Sequence, residues 1–153
     1  MHLKKKEMQI RINTKNMRVS FDFDGTLEFE SVQEYAKELI AREIDVWIVT
    51  SRFESAEKYN EFFGTTYKVD IVNKHLYEVA LDLHIPSSNI FFTNMLLKYN
   101  FFKNNEDFAW HLDDNFEETK EINRKTKVRG IDIFANRDWK SDCEEAMINK
   151  INK

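Results

Sequence analysis

An α/β domain built on a parallel sheet is what this sequence predicts, and three observations predict it. Short apolar runs alternate with amphipathic stretches along the chain. One of these runs, Val46-Trp47-Ile48-Val49, is apolar at consecutive positions, as a strand covered on both faces should be. Three Gly and one Pro in 153 residues leave no linker that would divide the alternation into separate units. Strands alternating with helices imply right-handed crossovers and helices on both sheet faces. The length suits a single domain over 1–153.

The elements follow in order. Met8, Ile10 and Ile12 alternate with polar residues, so 1–16 reads as a flexible segment or an extra edge strand over 8–12. Residues 17–23 form the first core strand. Ser31 with Glu34 reads as a capping box, and Val32, Tyr35, Ala36, Leu39 and Ile40 then share one helical face. Residues 45–50 are the second strand. A helix over 54–63 stops at Gly64, and 68–72 reads as a short extended piece. Asn73 is placed to cap a helix whose inner face is Leu76, Val79, Ala80 and Leu83, with Pro86 beyond its end. Residues 90–93 are a strand, 96–102 a helix, and 108–112 a fourth core strand running into Asp113-Asp114. Asn115 caps the next helix. Residues 128–134 are the fifth strand, and 138–151 a closing helix with Trp139, Cys143, Ala146 and Met147 inward.

The composition narrows the function classes. A net charge of −4 gives no global reason to expect nucleic-acid binding, and the Lys4-Lys5-Lys6 run reads as a solvated tail. Cys143 is the single cysteine, so no internal disulfide forms, which fits a reducing compartment. No secretory leader is visible, and no run approaches the roughly 20 apolar residues of a membrane span. The expectation is a soluble, cytoplasmic protein without a membrane partner.

The chemistry concentrates where strands end. Phe21-Asp22-Phe23-Asp24-Gly25-Thr26-Leu27 closes the first strand with two aspartates one residue apart and a glycine that permits a sharp turn. Carboxylates there suit an oxygen-preferring divalent cation such as Mg²⁺, and phosphoryl transfer with one as nucleophile and one as acid/base. In open parallel sheets ligands sit beyond the carboxyl ends of the strands. Asp22 and Asp24 end strand one, Thr50 ends strand two, and Asp113 and Asp114 end strand four, so all should converge. Without a cation, four carboxylates form a like-charge cluster with raised pKa values.

These segments, with Trp47-Ile-Val-Thr-Ser-Arg52, a lone lysine and His111-Leu-Asp-Asp-Asn115, resemble the motifs of the haloacid dehalogenase (HAD) superfamily of phosphohydrolases, in that family's order. The resemblance implies a Rossmann-like three-layer α/β/α domain with a five-stranded parallel sheet. It implies a Mg²⁺-dependent phosphatase that hydrolyses a phosphomonoester through an aspartyl-phosphate. Asp22 would be the nucleophile and Asp24 the general acid/base, with its backbone carbonyl on the metal. Thr50 would bind a phosphoryl oxygen and Lys98 would neutralise the transferring group. Asp113 and Asp114 would hold the metal, either one directly. Gly25, Thr26, Ser51 and Arg52 complete the expected phosphate contacts.

Each assignment competes with a plainer reading. Asp113-Asp114 alone would suit a helix N-cap, and Thr50 a strand-end hydroxyl satisfying nearby backbone. Lys103 competes with Lys98, Arg52 suits a surface ion pair as well as a phosphate, and His111 reads as a packed core residue. Phe91, Phe92, Phe101 and Phe102 read as core.

About twenty residues separate Asp24 from strand two and about fifteen separate strands three and four. Neither gap holds a folded cap, so the resemblance is to the small capless type. An open site suits a small phosphorylated molecule, covered or not by a neighbouring subunit in an oligomer, or a macromolecular phosphate. Nucleic acid enters only as substrate. A nucleotidase or polynucleotide end-phosphatase is the narrower enzyme reading. A metal- or phosphate-binding regulatory module without turnover is the reading from another class.

Overall fold

The computed structural model describes residue 8 and residues 13–67, 72–135 and 137–152. Most of the expected edge strand over 8–12 and of the extended piece over 68–72 lies outside them. The described residues form an α/β fold around one five-stranded sheet. Its strands are β1 (Arg18–Phe21), β2 (Asp45–Thr50), β3 (Ile90–Phe92), β4 (Trp110–Asp113) and β5 (Arg129–Asp132). The helices are α1 (Glu30–Ala41), α2 (Ala56–Phe63), α3 (Lys74–Leu83), α4 (Tyr99–Phe102), α5 (Phe116–Lys125) and α6 (Trp139–Ile151).

Every strand pairing is parallel, in the order β3-β2-β1-β4-β5. The chain runs outward from β1 through β2 to β3, then returns to the other side of β1 for β4. The winding therefore reverses between β1 and β4, and a crevice at the carboxyl ends of those two strands is where such sheets place ligands.

Two apolar clusters, one on each face of the sheet, follow from the two-residue period of the strands. Val19, Phe21, Val46, Ile48, Trp110 and Leu112 pack with Tyr35 and Leu39 of α1, Leu76, Val79 and Leu83 of α3, and Cys143 and Met147 of α6. Tyr35 stacks on Trp110 and Phe21 meets the same indole edge-on. Val49, Phe102, Phe108, Ile122 and Val128 pack on the opposite face with α4 and α5. Helices on both sides agree with a Rossmann-like arrangement. No helix of the described residues is long and apolar enough to cross a membrane.

Several local expectations shift. Ser31 does not cap α1. The turn over Phe23–Leu27 leads through Glu28 to Phe29, which takes the N-cap position, so Ser31 is already inside the first turn. Asn73 stands at the start of α3 but makes no capping bond, because its amide donates to the carbonyls of Phe53 and Glu54. Asn115 caps α5 by accepting from Glu117 N–H, and Gly64 ends α2 in the left-handed region, both as expected. Helix α4 starts at Tyr99 rather than at 96, because Asn94 and Met95 take positive φ values and turn the chain. Phe91 is not core: it lies half-exposed on edge strand β3.

Candidate functional site

At the carboxyl end of β1, Asp22 leaves the sheet while its N–H still donates to Leu112 O of β4 at 2.8 Å. Gly25, with φ +73°, turns the chain back toward α1. A Cβ on Gly25 would lie 2.2 Å from Asp114 Oδ2, so only glycine lets the loop close over that carboxylate. Across the crevice, β4 ends at Asp113. A ligand oxygen from each of Asp22, Asp113 and Asp114 lies within 4.8 Å of the others.

Lys98 comes from the turn before α4 and is 2% exposed. Its ammonium donates to Asp22 Oδ1 at 2.8 Å and to Asp113 Oδ2 at 2.6 Å. Glu118 on α5 accepts from the Lys98 backbone N–H at 3.1 Å and lies 3.9 Å from Nζ. Lys103 is exposed and sits over the Tyr99 ring, away from the acids. The lysine that joins the carboxylates is therefore Lys98.

The charges do not rise together, as a bare acid cluster would have them do. Burial pushes the Asp22 carboxyl well above the usual carboxylate range; Lys98 pulls it back, while Asp113 adds to the rise. Burial also raises Asp114 and Glu118. Asp113 moves the other way: burial acts to raise it, but the hydrogen bond from His111 and the Lys98 charge outweigh burial and hold it low. Burial acts against the Lys98 charge, and the two aspartates more than offset it. Lys98 thus bridges two acids that the site pulls in opposite directions, Asp22 up and Asp113 down.

The side chain of Asp24 lies apart from the three clustered carboxylates. Its carboxylate turns away from the cluster and takes a two-point hydrogen bond from Arg52, Nε to Oδ2 at 2.8 Å and Nη2 to Oδ1 at 2.7 Å. Arg52 also donates to Val72 O at 2.8 Å and lies over the Phe23 ring. The ion-pair reading of Arg52 is the one observed, and its partner is the expected acid/base. The Thr50 side chain is fully buried and its hydroxyl accepts from Arg52 N–H, as the strand-end reading has it, while the hydroxyl proton stays free to donate. Thr26 Oγ1 lies 3.4 Å from Asp22 Oδ2. Ser51 is half-buried at the β2 end, its carbonyl accepting from Met95 N–H. That bond, with Thr93 N–H to Thr50 O and Asn94 N–H to Arg52 O, fastens the β3 turn to the β2 turn.

Glu118 and Ser20 escaped the sequence reading, and His111 is the buried residue expected but with polar partners. Glu118 is four residues before Ile122, the buried apolar residue of α5, and so had to face inward. Ser20 precedes Asp22 by two and His111 precedes Asp113 by two, so each shares a sheet face with its aspartate. The β1–β4 register makes Ser20 and His111 direct partners. His111 is buried, as a core residue would be, but it is hydrogen-bonded at both ring nitrogens, to Ser20 at 2.7 Å and to Asp113 at 2.8 Å.

The donor set fits a hard divalent cation: three carboxylates, oxygen only, with a glycine keeping Asp114 in reach. No protein-family model, no curated protein and no solved structure matches this chain.

Proposed function

We propose that this protein is a Mg²⁺-dependent phosphomonoesterase of capless, HAD-like type that works through an aspartyl-phosphate on Asp22. One observation carries the reading: a buried ammonium, Lys98 Nζ, sits between the carboxylates of Asp22 and Asp113 at the point where the sheet reverses its winding. A carboxylate attacking a phosphate dianion needs a cation beside it, and Lys98 is bonded to the attacking group itself.

In this mechanism an Asp22 oxygen bonds to phosphorus as the ester P–O bond breaks, and Asp24 gives its proton to the leaving oxygen. Asp24 then takes a proton from water as water adds to phosphorus. The Asp22–phosphorus bond breaks, releasing inorganic phosphate and regenerating the carboxylate. Asp22, Asp113 and Asp114 are the side chains that would hold Mg²⁺, which screens the phosphate charge when bound. For proton transfer the Asp24 carboxylate has to leave Arg52, and a substrate phosphate is the anion able to take its place on that guanidinium. Among the described residues only α1 separates the first motif from β2 and only α4 separates β3 from β4, so neither of these connections carries a folded cap.

The test is hydrolysis of an aryl phosphate with Mg²⁺, with nucleoside monophosphates and 3′- or 5′-phosphorylated oligonucleotides for comparison. Asp22→Asn should abolish turnover, and an Asp22→Asn variant as active as the wild type defeats the assignment. The Asp24–Arg52 pair favours a second reading, a binding module without turnover in which Arg52 locks the acid/base. Turnover absent in the wild type and present in Arg52→Ala would select that reading.

A further inference from the structure

The buried Ser20–His111–Asp113 chain has no part in the proposed proton transfers, yet it ends on a carboxylate of the cluster. Both ring nitrogens of His111 are engaged and the ring is fully buried. Asp113 Oδ2 faces Nε2 at 2.8 Å and already accepts from the Lys98 ammonium at 2.6 Å, so Nε2 is the ring nitrogen placed to donate. The Ser20 hydroxyl, 2.7 Å from Nδ1, is then the donor on the other side of the ring. A single tautomer satisfies the whole chain.

Asp113 is thereby held at three points. His111 Nε2–H and the Lys98 ammonium both donate to Oδ2, and Asn115 N–H donates to Oδ1 at 3.0 Å. Each donor comes from a different place: His111 from the strand, Lys98 from the β3–α4 turn, Asn115 from the cap of α5. With Oδ2 doubly bonded, the open acceptor capacity of Asp113 lies on Oδ1. We infer that His111, oriented by Ser20, is a positioning residue that turns the Asp113 carboxylate and presents Oδ1 to a divalent cation. This inference rests on the metal-site reading above and adds to it the part that sets the cation affinity.

The test reads Mg²⁺ binding by calorimetry on the full chain, with no substrate present. Partners that orient a ligating carboxylate typically contribute ten- to a hundred-fold in metal affinity, so His111→Leu should weaken Mg²⁺ binding by at least about ten-fold. His111→Gln places an amide N–H near the Nε2 position and should stay within about three-fold of wild type, whereas His111→Asn, too short to reach, should resemble leucine. Ser20→Ala leaves the ring in place but removes the donor that sets its tautomer, and should weaken binding by about three- to ten-fold; it carries the test if His111→Leu fails to fold. Nitrogen-15 NMR of His111 should show a protonated Nε2 and a bare Nδ1.

His111→Leu and Ser20→Ala variants that bind Mg²⁺ as tightly as wild type overturn the positioning role and leave the metal site standing. A wild type that takes up no Mg²⁺ overturns the metal-site reading itself, and this one with it.

Discussion

Removing the Lys98 charge is the sharpest perturbation available. The ammonium is 2% exposed and bonded to two buried carboxylates at 2.8 and 2.6 Å. Lys98→Met keeps most of the side-chain volume and deletes the charge, leaving Asp113 buried and ionised without its cation. Breaking one side of a buried ion pair costs about 3–5 kcal/mol. Asp22, already pushed toward its neutral form, relieves part of this by taking a proton, so a cost near the lower end, about 3 kcal/mol, is expected. For a chain of this size that is a fall of roughly 6–12 °C in melting temperature. The assay is urea and thermal unfolding, followed by far-UV circular dichroism in chelator-treated buffer near neutral pH. Lys98→Met/Asp113→Asn then removes the stranded charge, and should recover at least about 2 kcal/mol relative to the sum of the two single changes. A single variant costing under about 1 kcal/mol, or a double variant that merely adds, would refute the claim that these groups form one buried ion-paired unit.

The remaining predictions are narrower. Gly25→Ala should lose about 1–2 kcal/mol from its left-handed backbone alone, and should lose Mg²⁺ affinity as well, because the new Cβ meets Asp114 Oδ2; calorimetry reads the second effect. Gly130→Ala should cost about 1–3 kcal/mol by overpacking, since its Cβ would lie 2.7 Å from Thr119 O and 2.9 Å from Thr119 Cα where α5 crosses β5; the melting temperature reads it, with Mg²⁺ affinity unchanged. Burial raises both the Cys143 thiol and the Tyr35 phenol, so above pH 9.0 to 10.0 the unfolded chain loses protons that the folded one keeps. Stability therefore falls as pH rises through that window, and melting curves from neutral pH upward should show the decline beginning there.

Much of this molecule was legible because its signals are local. Strand β2 is the apolar run 46–49 with one flanking residue at each end, as expected. Gly64 and Asn115 act at their helix ends because a left-handed residue and a short side-chain acceptor work within one turn of chain. Ser31 failed as a cap for a reason outside its own neighbourhood: the preceding turn delivers the chain into α1 two residues early. Asn73 failed because two carbonyls from the β2–α2 connection claim its amide.

By itself the sequence determined the alternation of strands and helices, the acids at the ends of β1 and β4, and a lysine between β3 and β4. Those follow from periodicity and from the rule that parallel strands carry their polar groups at one edge. Only the tertiary structure decided which charges meet. It buried Lys98 between Asp22 and Asp113, turned Asp24 out to Arg52, and set Ser20 beside His111 through strand register. Side chains some 90 residues apart come within hydrogen-bond distance through packing, and in the dry interior each one's charge depends on which others arrive.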